Sequence, residues 1–186
     1  FDYLNLFTKA EDEAVKTPQA EALTEVKKSA PLTDLVEISS PLSGQVKELS
    51  QATDPVFAQG VMGQGVLIEP SQGDLLAPVD GVVSVLFPTK HAVGIVSDQG
   101  VEMLMHIGMD TVNLEGKGFT AHVSQGDQVK AGDKLISFDI DLIKNAGYVT
   151  ETPVIIINQD QYQADALGSL PRQIAAGDAL MTATKI

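Results

Sequence analysis

From Val36 onward the chain alternates short apolar runs with polar, glycine-bearing breaks. The runs are Gly44–Leu49, Gly65–Ile68, Gly81–Phe87, Val93–Val96, Val101–Ile107, Lys134–Phe138 and Val154–Ile157. Between them lie turn-forming stretches such as Pro41-Leu42-Ser43-Gly44, Pro78-Val79-Asp80-Gly81, Ser97-Asp98-Gln99-Gly100 and Gln125-Gly126-Asp127. Many short strands at close turn spacing predict an all-β fold, an antiparallel β-sandwich or barrel with minor helical turns. Only Asp139–Ala146 reads as one or two turns of helix, and Gly177-Asp178 with the apolar finish reads as a closing strand. The pattern Pro-x-x-Gly-x-Val recurs at Pro41–Val46 and Pro78–Val83, which we read as two similar turn-to-strand starts.

The first 36 residues have a different texture. Thr8–Asp34 is rich in Ala, Glu, Lys, Thr and Pro, without glycine and with few large apolar side chains. Such a segment cannot bury enough surface to fold alone, so residues 1–36 read as an interdomain linker. A short helix over Ala20–Lys28 is compatible with it, bracketed by Pro18 and Pro31. The globular domain is expected over residues 37–186, and a chain opening on Phe1 reads as a piece of something longer.

Composition narrows the chemistry. There is no cysteine, so disulfides, thiolate metal sites and cysteine nucleophiles are excluded within this chain. The net charge is −13, which argues against nucleic acid as a partner, since that surface needs basic groups to replace counterions. It suits a partner with a basic docking face. No apolar run approaches the roughly 20 residues that span a bilayer.

Chemistry concentrates between Phe87 and Gly118. If His91–Val96 and Val101–Ile107 form a hairpin with a two-residue loop at Asp98-Gln99, His91 pairs with His106. The two Cβ atoms would then lie roughly 4.5–5.5 Å apart. One face would carry His91, Val93, Leu104 and His106, and the other Ala92, Gly94, Met103 and Met105. A three- or five-residue loop would shift the register by one and part the histidines. An adjacent pair serves two chemistries. One is Zn²⁺ ligation, with Asp110 as the candidate third ligand. The other is phosphoryl transfer to a neutral imidazole nitrogen beside a second donor. Spacing alone does not separate them.

Longer motifs do. Gly100-Val101-Glu102-Met103-Leu104-Met105-His106-Ile107-Gly108-Met109-Asp110-Thr111-Val112, followed by Leu114, Gly116, Gly118 and Phe119, resembles the active-site signature of glucose-type IIA proteins. These belong to the bacterial phosphoenolpyruvate-dependent sugar phosphotransferase system. Further matching segments follow the same order: Pro41–Gly44, Val56-Phe57-Ala58 with Gly63 and Gly65, Ala77–Gly81, Thr89–Ala92, Gly126-Asp127 with Gly132-Asp133, and Thr152–Val154. The resemblance spans roughly residues 38–158 and implies an antiparallel β-sandwich.

It also implies roles. His106 would accept a phosphoryl group from the phosphocarrier protein HPr and pass it to a cysteine of a IIB domain. His91 would hydrogen-bond that group, Thr89 would orient His91, and the charge of Asp110 would help expel the cargo. Val56, Phe57, Phe87, Val93, Leu104 and Val112 would form an apolar docking rim that excludes water. No cofactor is expected, and zinc at His91 and His106 would be adventitious. The domain would be cytoplasmic, held at the membrane only through an associated IIC domain. The sugar is not legible in the chain.

Three rival readings share some of these features. A LytM-type zinc peptidase shares the spacing of His106 and Asp110 but needs a His-x-His pair, which this sequence lacks. A biotinyl or lipoyl carrier is suggested by Val123–Asp133, yet the lysine-presenting turn is missing; a structural hairpin is expected there. A regulatory IIA domain acting on a transporter outside the phosphotransferase system would share the His106 chemistry. It would differ only in what is joined to it. His122 matches no motif and reads as a surface residue.

Overall fold

The structure, a computed structural model, describes residues 34–186. The linker and the helix over Ala20–Lys28 therefore fall, up to residue 33, outside the described residues. In chain order the elements begin with β1 (Leu35–Ser39), β2 (Gly44–Glu48), α1 (Pro55–Ala58), β3 (Gln64–Pro70), β4 (Asp74–Leu76), β5 (Gly81–Leu86) and β6 (Ala92–Ser97). There follow β7 (Glu102–His106), β8 (Phe119–Ala121), β9 (Gln128–Val129), β10 (Lys134–Phe138), α2 (Ile140–Asn145) and β11 (Thr152–Ile156). The chain closes with β12 (Tyr162–Ala166), β13 (Arg172–Ile174) and β14 (Ala179–Lys185). Short 3-10 turns cover Leu49–Gln51 and Thr111–Leu114.

All-β is the class observed, with antiparallel pairing throughout. Leu35 and Val36, assigned above to the linker, are strand residues: β1 pairs along β14, and the side chain of Val36 is buried. Lys134–Phe138 matches the apolar run residue for residue, and α2 lies inside the expected Asp139–Ala146. The strands β4, β8, β12 and β13 and the helix α1 were not read from the pattern. They are short or mostly polar, so a period of two has little room to declare itself.

The order β13-β2-β3-β11-β7-β6-β5-β9 makes an eight-stranded sheet. Two three-stranded sheets, β1-β14-β12 and β4-β10-β8, accompany it. Alternation along the large sheet divides its side chains between two cores. Val66, Ile68, Val93, Ile95, Met103, Met105, Val154 and Ile156 join the main core, together with Ile38, Leu75, Ile136 and Met181 of the smaller sheets. Leu67, Ala92, Leu104 and Ile155, of opposite parity, join a second core with Leu49, Ala52, Phe57 and Met109. β11 is buried on both faces, which is why its run reads as continuously apolar. Each such large side chain removed from water contributes about 1.5–3 kcal/mol.

The register of β6 on β7 differs from the expected one. Ala92 pairs with His106, Gly94 with Leu104 and Val96 with Glu102. The loop has three residues, Asp98-Gln99-Gly100, closed by a bond from Gly100 N–H to Ser97 O at 2.9 Å. Gly100 adopts φ 103°, a left-handed conformation that glycine enters freely and that suits a bulged turn. Distant residues select this loop. Asn158 accepts from Glu102 N–H and donates to Gly100 O, and the Tyr162 hydroxyl donates to Gln99 O. The two faces assigned from sequence are consequently exchanged: His106 and Leu104 share the face of Ala92 and Gly94, not that of Val93.

Candidate active site

By strict alternation the one-residue shift would send His91 towards the main core. The backbone prevents this. Lys90 has φ 59°, an uncommon left-handed value for a residue with a side chain, just before β6 begins. The turn is held by Lys90 N–H donating to Phe87 O and Phe87 N–H donating to Ala92 O. The His91 carbonyl still accepts from Ile107 N–H at 2.7 Å, so the main chain stays in register. The ring is freed from the alternation and stands 4.9 Å from that of His106, centroid to centroid, edge to face at 80°. The histidines meet through the Lys90 turn, not through cross-strand pairing.

Each imidazole is pinned through its Nδ1. In His106, Nδ1 lies 2.7 Å from the Gly108 carbonyl. A carbonyl only accepts, so Nδ1 carries the proton and the Nε2 lone pair of the neutral ring is open. Gly108 has φ 73°; a Cβ there would meet Val149 O at 2.7 Å and the Thr111 methyl at 2.6 Å. The buried Thr111 hydroxyl bonds the Ile107 carbonyl and secures the turn. In His91, Nδ1 lies 2.6 Å from the Thr89 hydroxyl. Neither Nε2 has a protein partner among the described residues. Among the described residues the only fully buried side-chain polar atom left without one is Arg172 Nε, so both Nε2 atoms retain access to solvent.

Burial keeps both rings neutral. His91 is buried, and desolvation, reinforced by the neighbouring His106, lowers its pKa to about 4. Desolvation also lowers His106. That effect is opposed by its bond to the Gly108 carbonyl and by the charges of Asp54 and Asp110. A base held neutral below the usual histidine range is available as a nucleophile at neutral pH.

Aromatic rings flank the pair. Phe57 lies 5.3 Å from His106, tilted by 52°, and Phe87 lies 5.3 Å from His91, edge to face. Phe57 is delivered by α1, whose start is set by the Asp54 carboxylate accepting from Val56 N–H, with Pro55 at the first helical position. Val56 is 45% exposed and Val112 48% exposed, while Leu104 is buried in the second core, which Phe57 also joins.

Of the residues singled out from sequence, His106, His91 and Thr89 converge. Asp110 is exposed, in a left-handed conformation, and acts on His106 through its charge. Phe57 and Phe87 touch the rings. Val93 lies elsewhere: it is fully buried in the main core, on the opposite face, and contributes to no rim. Its misplacement follows from the one-residue register error. His122 is exposed and its Nε2 meets the Ser137 hydroxyl at 2.8 Å. Sequence reading missed Asp54 and the Gly108 carbonyl. Asp54-Pro55 is a helix-start signal that could have found α1; no local signal marks the carbonyl. As for metal ligation, no three His, Asp or Glu side chains converge among the described residues, so Asp110 completes no set with the two histidines.

Comparison with known proteins places this arrangement. Residues 36–162 match the family described as phosphoenolpyruvate-dependent sugar phosphotransferase system, EIIA 1. The chain is 58% identical over 125 residues to the PTS system beta-glucoside-specific EIIBCA component of Bacillus subtilis (strain 168), covering 67% of this chain and 20% of that protein. It is 52% identical over 149 residues to the component of the same name from Halalkalibacterium halodurans, covering 80% of this chain and 23% of that one. A solved structure, glucose permease IIA from Mycoplasma capricolum, matches with a TM-score of 0.71 and 35% identity over 80% of this chain and 95% of its own. The chain thus spans about a fifth of the length of the curated relatives it matches.

Proposed function

The chain belongs to the EIIA 1 family of the phosphoenolpyruvate-dependent sugar phosphotransferase system, and on that premise we propose that Nε2 of His106 is its phosphorylated atom. The observation that carries this is the tautomer lock: the Gly108 carbonyl holds the proton on Nδ1 and turns the other lone pair outward. The donor is phospho-HPr. The Nε2 lone pair attacks phosphorus, the N–P bond of the donor breaks, and its electron pair returns to the donor ring. In the second step a cysteine sulfur of a IIB domain attacks the same phosphorus, and the His106 N–P bond breaks.

His91 serves the transferred group. We take the Thr89 hydroxyl, 2.6 Å from Nδ1, as the donor, so that the neutral His91 ring carries its proton on Nε2 and offers it beside His106. That proton is the donor for a phosphoryl oxygen. The group brings roughly −1.5 to −2 charges, and Asp54 and Asp110 oppose its storage, so the carrier stays ready to discharge. The loose transition state asks mainly for positioning and electrostatics. Val56 and Val112, which are exposed, with Phe57 and Leu104 of the second core, exclude water when a partner docks.

The relatives are named EIIBCA components, which supports fusion to IIB and IIC parts in a membrane permease and transfer to sugar over a purely regulatory role. Their names also support a beta-glucoside as the sugar. Incubation with phosphoenolpyruvate, enzyme I and HPr, followed by intact mass, tests the assignment. An acid-labile phosphoryl adduct is expected on the wild type and none on His106→Ala. His91→Ala is expected to accept the group but not pass it to IIB. Labelling of His106→Ala would reverse the roles.

A further inference from the structure

Phe57 reaches His106 from the long connection Leu49–Gly63, between β2 and β3. The main-chain hydrogen bonds of Leu49–Gly60 outside the strands are local among the described residues. Ala52 N–H reaches Leu49 O, and those of Phe57, Ala58, Gln59 and Gly60 reach carbonyls from Asp54 to Phe57. Among the described residues, two side chains tie its backbone to the rest of the fold. The Glu151 carboxylate accepts from Thr53 N–H at 2.9 Å, across 98 residues of sequence. Gln159 Nε2 donates to Gly60 O at 3.4 Å, a longer and weaker bond. Glu151 immediately precedes β11 and Gln159 follows it, so the two ends of one central strand hold the two ends of the connection.

Glu151 is unusual in its position. It is only 7% exposed, and a carboxylate is seldom buried unless an interaction requires it. Its neighbour Thr150 is itself held, its hydroxyl donating to Glu69 Oε1 at 2.8 Å. The residue it grips, Thr53, directly precedes Asp54, whose carboxylate starts α1 and whose charge acts on His106. Three residues further on, Phe57 packs against the His106 ring.

We propose that Glu151 is a positioning residue for phosphoryl transfer: its buried carboxylate anchors Thr53 and so places Asp54 and Phe57 against His106. The inference rests on the His106 reading above. Glu151 touches neither the histidines nor the cargo; it acts through α1. What it supplies is an acceptor for one amide, not a charge at the site.

The test uses the described domain with its preceding segment, in the same phosphoenolpyruvate, enzyme I and HPr assay. Glu151→Leu keeps the apolar bulk and removes the acceptor. It is expected to lower the rate constant of phosphoryl acceptance at saturating phospho-HPr about tenfold, the order for losing one hydrogen bond to a charged group. Glu151→Gln keeps an acceptor oxygen and is expected to stay within about twofold of the wild type. In a Phe57→Ala background, Glu151→Leu is expected to add little further loss, because both changes disturb the same contact. Nitrogen-15 spectra of the unphosphorylated domain should show the His106 ring shifted in Glu151→Leu and restored in Glu151→Gln. An unchanged rate in Glu151→Leu, a Glu151→Gln as slow as Glu151→Leu, or fully additive losses with Phe57→Ala would each overturn the proposal. If the wild type itself took no label, the His106 reading would fall instead, while the ring spectra would still decide the role of Glu151.

Discussion

Acidification from pH 7.5 to 5.0 should cost this domain more stability than the same domain with His91→Asn. In the fold, His91 is buried and its pKa is lowered to about 4; in the unfolded chain it returns to about 6.5. Below pH 6.5 the unfolded chain therefore binds more protons at this site, and stability falls as pH falls. The loss begins near pH 6.5, grows by about 1.4 kcal/mol per unit, and levels off below about pH 4. Between pH 7.5 and 5.0 it amounts to about 2 kcal/mol, and its full value is about 3 kcal/mol. Urea unfolding at both pH values, on wild type and His91→Asn, isolates the term, because the carboxylates contribute similarly to both proteins. The wild type should lose about 2 kcal/mol more than the variant over this interval. Proton and nitrogen-15 shifts of the His91 ring should meanwhile keep their neutral signature down to about pH 5. An inflection near pH 6.5, or equal losses in the two proteins, would refute the claim that desolvation holds this ring neutral.

Other expected outcomes follow from the same geometry. Gly108→Ala forces a Cβ to within 2.7 Å of Val149 O at φ 73°; it should cost about 1–3 kcal/mol on thermal unfolding. It should also slow labelling by displacing the carbonyl that locks His106, and wild-type labelling would argue against the tautomer lock. Val112→Asp lies on an exposed position, so its stability should stay within about 0.5 kcal/mol of wild type. The KM for phospho-HPr should rise about tenfold, the scale of a single interface residue; an unchanged KM would remove Val112 from the docking rim.

Much of the β architecture was legible because the core strands obey a period of two, or, for β11, run continuously apolar. Lys134–Phe138 was readable at single-residue resolution because its apolar side chains Leu135, Ile136 and Phe138 are all buried in the main core. The edges were less so: β4, β8 and β13 are short and draw their order from neighbours. The site was legible as a pair of histidines in recognisable surroundings, yet the route by which they meet was misread. The loop length at Gly100 depends on Asn158 and Tyr162, which no local pattern connects to it. The reversal at Lys90 is a backbone conformation that its side chain does not announce. These two departures compensate: one turns the strand by a residue, and the other returns His91 to the side of His106.

By itself, then, the sequence determined the class of fold, through alternation and turn chemistry, and singled out the candidate histidine pair, through the residues around His106. Tertiary structure alone decided which face the pair occupies, which nitrogen of His106 is exposed, and which of the apolar candidates reaches the surface. Val93 went inward and Phe57 reached the ring because burial and hydrogen bonding between distant segments settle such choices. Glu151 and Thr53, far apart along the chain and 2.9 Å apart in space, belong to that second kind of information.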